Sequence, residues 1–298
     1  MTGESLHSTN FDREIAFSRT LGLVTRDELK SLGGKTAAIA GLGGVGGCHL
    51  LTLTRLGIGG FNLAEFDTFG LENFNRQPGA MMSTINRPKL DVMEETVLQI
   101  NPQLRIRRFP NGLTEENLND FLEGVDIYVD SLDYFEYKLR ALVFKTCYER
   151  GIPCVTAGPL GMGAALLNFM PGKMKFDEYF DWQDTDSDFI KGIKFLVGLA
   201  PSLPHRHALV DRSFVDLHAR RGPSTPMGVD LCAGFAGTEV MKILLGRGKV
   251  RAAPHSQHFD AYLNRFYSEV IWFGNRNPIQ KAKIAIAART LNQRRSAK

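Results

Sequence analysis

The first 172 residues alternate between short apolar runs and stretches whose apolar residues recur at helical spacing. The apolar runs predict β-strands, and the stretches between them predict α-helices. Predicted strands cover residues 35–40, 61–66, 104–109, 125–129, 153–157 and 164–169, and predicted helices cover residues 45–56, 89–100, 115–122 and 135–150. Strands that alternate with helices are typical of a parallel sheet with crossover helices. We therefore predict an α/β fold: a doubly wound, Rossmann-like, mostly parallel sheet with helices on both faces.

The same pattern divides the chain into five segments. Polar residues at helical spacing over 11–32 predict a helical lead-in. After Pro171, acidic and aromatic residues and then a basic stretch bounded by prolines show no clear periodicity, until a glycine-terminated helix is predicted over 234–246. The predicted segments are an N-terminal lead-in with a dimer contact (1–34), a nucleotide-binding core (35–172), an insertion or lid with the substrate region (173–232), a return to the core (233–275) and a basic C-terminal tail (276–298).

The positive charge of the chain is concentrated at its C-terminal end. The formal net charge is +4, but the seven Lys and Arg residues that follow Glu269, with no acidic residue among them, contribute +7. Since 4 − 7 = −3, the rest of the chain is slightly acidic and gives no argument for nucleic-acid binding. We interpret the basic tail as a solvated or frayed terminus.

Cysteine usage and hydropathy both indicate a cytoplasmic protein. The chain contains four cysteines, none in a CxxC pair: Cys48, Cys147, Cys154 and Cys232. A chain of 298 residues needs no disulfides to fold, so we expect reduced thiols. Residues 36–54 lack Asp, Glu, Lys and Arg, as a membrane span does, but they contain five glycines. A strand, a glycine turn and a helix explain this stretch better, and we expect no membrane association.

A glycine-rich turn joins the first predicted strand to the first core helix. It reads Gly41-Leu42-Gly43-Gly44-Val45-Gly46, and Glu65 ends the next strand at the spacing of a ribose-binding acid. Glycines permit a tight turn and a close approach of phosphate to the backbone, and the free N–H groups of a helix N-terminus attract anions. The turn therefore predicts a nucleotide site and leaves NAD, FAD and ATP open.

Polar residues after two of the strands favour a triphosphate over a dinucleotide. Asn73, Arg76 and Lys89 follow the second strand, and cations there suit the β- and γ-phosphates of ATP. Asp130 and Asp133 follow a buried strand, at the end where a parallel sheet points carboxylates into the ligand crevice. One carboxylate together with phosphate oxygens is an ordinary Mg²⁺ site. We therefore expect Mg²⁺ to accompany the nucleotide.

Taken in order, these motifs resemble those of the ThiF/MoeB/HesA family, the bacterial relatives of ubiquitin-activating enzymes. The family's glycine turn, D-x-D, N-x-x-R-Q, lysine and D-x-x-D are similar to residues 41–46, 65–67, 73–77, 89 and 130–133, and the likeness covers residues 17–246. The resemblance implies that ATP and Mg²⁺ are bound by Gly41, Gly43, Gly44, Gly46, Glu65, Asp67, Asn73, Arg76, Gln77, Lys89 and Asp133, with Asp133 as the metal ligand. The catalytic residues that it implies are Arg76, Lys89, Asp133 and Arg19, and Arg19 would reach into the partner's site in a homodimer.

The resemblance implies an adenylyltransferase that activates a carboxylate as an acyl-adenylate and releases pyrophosphate. A C-terminal carboxylate, with a pKa of about 3.3–3.7, is already ionised at neutral pH, so the reaction needs no general base. The obstacle is the approach of one anion to another, which cations and Mg²⁺ reduce. The implied substrate is the C-terminus of a ubiquitin-like or sulfur-carrier protein, and a short peptide or a small carboxylic acid is the alternative.

Three features depart from the family pattern. Many members carry two CxxC pairs that bind structural zinc, and this chain has none, so we expect no zinc. Residues 173–195 contain no cysteine where some members carry a nucleophile, which argues against a thioester or persulfide step. Asp133 is followed by Tyr134 rather than by asparagine, so recognition of the acceptor or of adenine can differ.

Other interpretations stay open at this point. Six acids between residues 177 and 188 lie where family members meet a ubiquitin-like tail, and an acidic groove there competes with a solvated loop. The spacing of His205, His207 and His218 fits no zinc motif. An NAD-dependent oxidoreductase would explain the glycine turn but would leave the cations and Asp133 unused. An inactive scaffold would leave every expected ATP-site residue without a role.

Overall fold

Across residues 11–296, the part of the chain that this computed structural model describes, eight strands form one sheet. The strands are β1 (Thr36–Ala40), β2 (Gly60–Ala64), β3 (Arg105–Phe109), β4 (Ile127–Asp130), β5 (Cys154–Leu160), β6 (Gly163–Phe169), β7 (His255–Asp260) and β8 (Arg265–Val270). Their order is β3-β2-β1-β4-β5-β6-β7-β8. The strands from β3 to β5 pair in parallel, and β6, β7 and β8 add antiparallel pairs. The parallel part has doubly wound order, which confirms the predicted fold class.

Helices cover both faces of the sheet. They are α1 (Arg13–Ala16), α2 (Arg26–Gly34), α3 (Gly44–Leu56), α4 (Lys89–Ile100), α5 (Leu118–Phe121), α6 (Tyr137–Glu149), α7 (Phe176–Phe180), α8 (Asp188–Leu199), α9 (Pro226–Leu245) and α10 (Pro278–Ser296). Ala37 and Ile39 of β1 belong to the core with α3, α4 and α9, whereas Ala38 and Ala40 belong to the core with α5 to α8. Successive strand residues point to opposite faces, so β1 is buried on both sides. In the described chain, none of these helices is long and apolar enough to cross a membrane.

The predicted N-terminal helix is interrupted. Residues 21–24 form a turn in which Gly22 has a φ of +99°. Thr25 then caps α2, because its hydroxyl accepts from Glu28 N while the Glu28 carboxylate accepts from Thr25 N. The prediction of one helix over 11–32 is therefore wrong, since this capping box starts a new helix.

The segment predicted to lack clear periodicity contains two helices. α7 and α8 gather its aromatic side chains, and Phe176, Phe180 and Phe195 pack in one core with Phe169 of β6. Both helices are short or apolar on several sides, so no clean polar face marks them in the sequence.

The helix predicted over residues 234–246 begins earlier than expected. α9 starts at Pro226, and the Thr225 hydroxyl accepts a hydrogen bond from Gly228 N. Its buried residues share one side of the helix, but several of them are Gly or Ala and the exposed Met227 is apolar, so apolar periodicity does not mark its first half. The glycine stop lies where the sequence predicts it: Gly246 has a φ of +63° and ends the helix.

Three C-terminal elements, β7, β8 and α10, are absent from the prediction. The basic terminus predicted to be solvated or frayed is instead the helix α10, which packs against α8. Gln280 Nε2 donates to Val197 O (3.3 Å), and Lys283 Nζ donates to Pro201 O (2.6 Å). These polar side chains hold one side of the helix to backbone carbonyls in α8 and just after it, so this packing does not depend on an apolar stripe.

Candidate active site

A cleft of about 1360 Å³ opens at the point where the strand order changes direction, between β1 and β4. Ala40, Ala64 and Asp130, the last residues of β1, β2 and β4, lie in its wall. In doubly wound sheets, ligands bind at this switch point. We call the part lined by the glycine turn and by the loops after β2 and β4 the nucleotide half. We call the part lined by residues 203–224 and α10 the distal half.

The glycine turn forms the floor of the nucleotide half. Gly41 has a φ of +91°, and a Cβ atom there would lie 2.7 Å from Ser131 O. A Cβ atom on Gly46 would lie 1.8 Å from Gly41 O. The Ser131 hydroxyl lies 2.8 Å from Ala40 O and 2.9 Å from Gly41 O and ties this turn to the loop after β4. The first turn of α3, whose N-cap is Gly43, lines the cleft, and its N–H groups have no partner within the helix.

Glu65 fixes the backbone of the glycine turn. Its carboxylate accepts from Leu42 N (2.7 Å), Phe66 N (2.8 Å) and Asp67 N (2.9 Å), and the residue is 8% exposed. The acid expected at the ribose thus lines the cleft while it holds the surrounding chain. A carboxylate has about four acceptor positions, so one is left for a ribose hydroxyl. Ribose binding by Glu65 stays a prediction.

Lys89 is a buried cation in the wall of the nucleotide half. Its ammonium lies 2.6 Å from Asp67 Oδ2, and the two side chains are 6% and 56% exposed, respectively. Partial burial alone would raise the pKa of Asp67, but the hydrogen bond and charge of Lys89 lower it below its ordinary value. The lysine therefore faces an exposed anion that a phosphate oxygen can replace.

The loop between β2 and α4 contributes a second cation. Arg76 lines the cleft beside Gln77, and its guanidinium donates to Asn75 Oδ1 (2.8 Å). Gln77 Oε1 is buried and has no hydrogen-bond partner among the described residues, so a donor on a ligand can use it. Asn73 is buried and lies outside the cleft wall, where its Oδ1 accepts from Gly70 N (3.0 Å). Asn73 shapes the loop, and its direct contact with the triphosphate stays a prediction.

A buried arginine orders the loop after β4. Arg140 Nε lies 3.0 Å from Asp130 Oδ2, with the side chains 3% and 2% exposed. Its guanidinium also donates to the carbonyls of Leu132 (2.7 Å), Asp133 (3.1 Å) and Tyr134 (3.3 Å). Asp130 thus binds Arg140. Of the two aspartates predicted at the site, Asp133 is the one whose carboxylate is exposed to the cleft.

Asp133 is exposed at the end of this loop. Its Oδ1 accepts from Phe135 N (3.0 Å), which sets the direction of the carboxylate. Within the described residues, no group of three or more His, Cys, Asp or Glu side chains could hold a metal ion. Mg²⁺ does not need such a group, because it keeps several waters and takes other ligands from substrate phosphates. The loop therefore fits Mg²⁺ that arrives with ATP, and Asp133 as its protein ligand stays a prediction.

Two features weighed in the sequence lie outside the cleft. Arg19 is exposed on the turn after α1 and does not line the cleft of its own chain. Its reach into a partner subunit stays a prediction. None of the six acids between residues 177 and 188 lines the cleft, and Asp181 and Asp186 lie 4.0 and 2.6 Å from Lys194 Nζ. Two of the six acids therefore pair with Lys194 of α8, and the other four are exposed outside the cleft.

Arg140 is a site residue that the sequence did not reveal, and Tyr134 was marked there only as a departure from the family pattern. Tyr134 stands where the family pattern has asparagine, and its ring centroid lies 5.2 Å from that of Phe195. Its hydroxyl donates to Gly192 O (2.6 Å), so it joins the loop after β4 to α8. The aromatic residue next to Asp133 could have indicated that this loop packs against the core. No residue near Arg140 in the sequence indicates that its side chain points inward.

The cysteines lie away from the cleft wall. Cys147, Cys154 and Cys232 are buried, and Cys48 is partly exposed. Burial and the neighbouring Asp230 carboxylate raise the pKa of Cys48 to about 12. None of these thiols is placed or activated for a covalent step in the cleft.

Comparison with known proteins gives the same family as the motifs. The model of the ThiF family matches residues 16–282. The chain is 34% identical over 150 residues to the tRNA threonylcarbamoyladenosine dehydratase of Bacillus subtilis, which covers 50% of this chain and 57% of that protein. It is 32% identical over 133 residues to the sulfur carrier protein ThiS adenylyltransferase of Escherichia coli, with 45% and 52% covered. The chain thus spans about half the length of these curated relatives.

A solved structure shares the fold at low identity. E. coli MccB, solved with MccA-N7isoASN, superposes with a TM-score of 0.66 at 18% identity, over 88% of this chain and 72% of that chain. This likeness concerns the fold alone, whereas the family match extends over most of the sequence and includes the glycine turn, the cations and the D-x-x-D loop. The chain belongs to the ThiF family.

Proposed function

We propose that this protein is an ATP-dependent adenylyltransferase that converts a carboxylate into an acyl-adenylate. The observation that carries the proposal is the composition of one cleft: the N-terminus of α3, the cations Arg76 and Lys89, and the exposed carboxylate Asp133 all line it. A dinucleotide site would use only the first of these features. Membership of the ThiF family supports the same class of reaction.

The chemistry requires charge compensation rather than a general base. The attacking carboxylate is ionised at neutral pH and must approach an anionic α-phosphate. Lys89, Arg76 and the N–H groups of α3 bind the triphosphate and offset its charge. Mg²⁺ held by Asp133 would polarise the phosphate oxygens. A bond forms between the carboxylate oxygen and the α-phosphorus, and pyrophosphate leaves with the electron pair of the bridging P–O bond.

Lys89 exchanges its partner when the nucleotide binds in this proposal. Its side chain is buried and its position is fixed, because its backbone N–H also donates to Asp67 O (2.9 Å). The Asp67 carboxylate is exposed and can turn to solvent, so a phosphate oxygen takes its place beside the ammonium. This exchange supplies a buried cation to the triphosphate without a rearrangement of the backbone.

The identity of the activated carboxylate is a further part of the proposal. A ubiquitin-like or sulfur-carrier protein is one class, in keeping with the relative named ThiS adenylyltransferase. A short peptide or small carboxylic acid is the other class. In both, a homodimer in which Arg19 reaches the partner's cleft completes the charge compensation. The buried or unactivated cysteines favour direct transfer from the adenylate over a thioester.

Calorimetric titration tests the nucleotide part of the proposal. ATP with Mg²⁺, NAD⁺ and NADP⁺ are titrated into the wild type, Asp133→Ala and a control, Asp120→Ala, whose exposed carboxylate lies outside the cleft. We expect ATP to bind the wild type and the control, and to bind Asp133→Ala at least about tenfold more weakly. Binding of NAD⁺ without ATP would overturn the proposal. Pyrophosphate exchange with candidate acids then tests adenylate formation.

A second candidate comes from the relatives named tRNA threonylcarbamoyladenosine dehydratase in three bacteria. The same ATP chemistry could activate a carboxylate carried by tRNA, and cations from residues 206–221 line the cleft. Incubation of tRNA that contains threonylcarbamoyladenosine with ATP and the protein, followed by nucleoside mass spectrometry, tests it. Loss of one water from the modified nucleoside would favour this candidate, and an unchanged nucleoside would remove it.

A further inference from the structure

The distal half of the cleft has a charge of one sign. None of its lining residues between 195 and 291 is Asp or Glu, and five of them are cations: Arg206, Arg212, Arg220, Arg221 and Lys283. A cleft with one sign of charge and apolar walls concentrates ligands of the opposite sign. The nucleotide half has its own cations, so these five can face a second anionic group.

Few of these cations have a carboxylate partner. Arg220 Nη2 lies 3.4 Å from Glu136 Oε1, and that pair is more than 40% exposed on both sides. The Lys283 ammonium donates to Pro201 O, a neutral acceptor. Among the side chains that the structure describes, the other four cations form no ion pair. Within the described residues, the wall of the distal half therefore has more cationic than anionic side chains, and Arg220 is the one of its five cations that pairs with a carboxylate.

One face of α10 forms an apolar wall of this half. The residues of α10 in the cleft wall have the spacing i, i+3, i+4, i+7 and i+8, which is one face of a helix: Lys283, Ile286, Ala287, Thr290 and Leu291. Ile286 is 65% exposed although it is apolar. A cation at the start of an otherwise mainly apolar face suits a ligand with an aliphatic stem and an anionic end.

Residues 203–224 add further aliphatic side chains to the same space. Leu209, Val215 and Leu217 line the cleft between the arginines of this segment. Ligand sites usually have volumes of about 300–1,000 Å³, and this cleft has about 1360 Å³. The cleft is therefore large enough for ATP and a second small molecule at the same time.

We propose that the distal half binds the molecule whose carboxylate is activated, and that this molecule is a short aliphatic acid or peptide with a second anionic group. The reactive carboxylate would lie toward the nucleotide half, the aliphatic stem along α10, and the second anion among the five cations. This inference rests on the proposed adenylation. It favours a small acidic substrate over a basic protein tail, since the acids of residues 177–188 lie outside the cleft.

An RNA substrate would also be anionic, but the walls favour a small molecule. RNA binding depends on rows of phosphate contacts across an open surface. Here the cations are interleaved with Leu209, Val215 and Leu217 and face the apolar side of α10 in one concave space. Aliphatic walls of this kind add nothing to phosphate contacts, whereas they bury a hydrocarbon stem.

Three matched sets of probes test the proposal. Straight-chain dicarboxylates from glutarate to sebacate, monocarboxylates of the same length and ω-amino acids of the same length are titrated by ligand-observed NMR into the protein with ATP and Mg²⁺. They differ only in whether the second end is anionic, neutral or cationic. We expect at least one dicarboxylate to bind about tenfold or more tightly than its matched monocarboxylate, and the ω-amino acids to bind most weakly.

Variants locate the preference. Arg221→Gln with Lys283→Gln is expected to reduce the preference for dicarboxylates to less than about threefold, since two of the cations are lost. Arg251→Gln is the control, because Arg251 is a half-buried arginine that donates to Ser268 Oγ outside the cleft. It is expected to keep the preference. A preference that survives in the double variant would place the anion elsewhere and overturn the proposal.

The remaining outcomes separate this inference from the proposed function. Equal binding of the ω-amino acids, no binding of any dicarboxylate, or displacement of the dicarboxylates by unmodified tRNA at low concentration would overturn the small-acid proposal. If ATP fails to bind but a dicarboxylate binds through Arg221 and Lys283, the adenylation proposal fails while the anion site stands. If ATP binds but the protein binds dicarboxylates and monocarboxylates equally well, the adenylation proposal stands and the anion-site proposal fails.

Discussion

The ion pair between Arg140 and Asp130 lies directly under the loop that presents Asp133. Nε and Oδ2 are 3.0 Å apart, neither side chain is more than 3% exposed, and the guanidinium lies 4.7 Å from the ring centroid of Phe195. Removal of one partner leaves the other as an uncompensated buried charge. We expect Arg140→Met to lower the free energy of unfolding by about 3–5 kcal/mol, measured by urea denaturation.

A double variant separates stability from loop positioning. Replacement of a buried ion pair by apolar residues is often neutral for stability, so Arg140→Met with Asp130→Leu should regain much of the loss. It should still bind ATP weakly, because the carbonyls of Leu132 and Asp133 have lost their donor. Arg107→Met, which breaks two exposed ion pairs, should change neither property much. Wild-type ATP affinity in the double variant would show that Arg140 does not position the loop.

Local patterns allowed much of the nucleotide half to be predicted. The strand before Gly41 and the helix after it are marked by apolar runs and glycines, and Lys89 begins α4 where helical spacing starts. The order of Arg76, Lys89 and Asp133 along the chain is that of the family, and these three line one cleft. Features that depend on residues close together in the sequence could thus be predicted from it.

The distal half could not be predicted from the sequence, because it depends on contacts between segments that are far apart along the chain. Ile286 lies on α10 and Leu217 lies in the insertion, and only the fold places both in one wall. Arg140 looks like any helical arginine until Asp130 and the carbonyls of the loop are placed around it. The burial of such a cation cannot be predicted locally, because the residues next to it in sequence do not indicate which groups surround it in the fold.

Gly46→Ala tests the close packing of the glycine turn. The added Cβ would lie 1.8 Å from Gly41 O and 2.8 Å from Ser131 Oγ, so the turn or the loop after β4 must shift. We expect a loss of about 1–3 kcal/mol in the free energy of unfolding and a loss of measurable ATP binding. Gly34→Ala is the control, since no atom lies within 4 Å of its Cβ position. Normal ATP affinity in Gly46→Ala would contradict the assigned turn.

Lys89→Gln tests the buried cation. The glutamine keeps part of the length of the side chain but removes the charge that lies beside Asp67, so we expect ATP to bind about 10- to 100-fold more weakly by calorimetry. Lys242→Gln is matched to it, because Lys242 Nζ also forms a short pair, with Glu239 Oε1 at 2.5 Å, but lies outside the cleft. Equal effects of the two changes on ATP affinity would show that the loss is a general effect of broken ion pairs.

Thiol reagents test whether a cysteine takes part in the reaction. Cys48 is the most accessible of the four cysteines, and its pKa of about 12 keeps it protonated at pH values near 8. We expect iodoacetamide to react slowly with the folded protein, and Cys48→Ser to keep full adenylate formation, measured by pyrophosphate exchange. A covalent adduct between Cys48 and the substrate, detected by intact mass spectrometry under non-reducing conditions, would contradict this expectation.

Because His205 and His258 are buried, we expect the protein to lose stability in mild acid. Burial lowers the pKa of each from 6.5 to about 4, and both ring nitrogens of His258 lack a hydrogen-bond partner among the described residues. The folded state thus disfavours the protonated form, so the unfolded state binds more protons below pH 6.5. Stability is fully present above that pH and falls as the pH drops toward 4.

Between pH 7 and pH 5, each of these two histidines should cost about 2 kcal/mol of unfolding free energy. His258→Gln should therefore show a smaller difference between urea denaturation at the two pH values than the wild type, by about that amount. His218→Gln is the control, since His218 is exposed and stacks on Phe189. If His258→Gln and the wild type lose the same unfolding free energy between pH 7 and pH 5, the His258 ring contributes nothing to the acid sensitivity. Another group would then cause it.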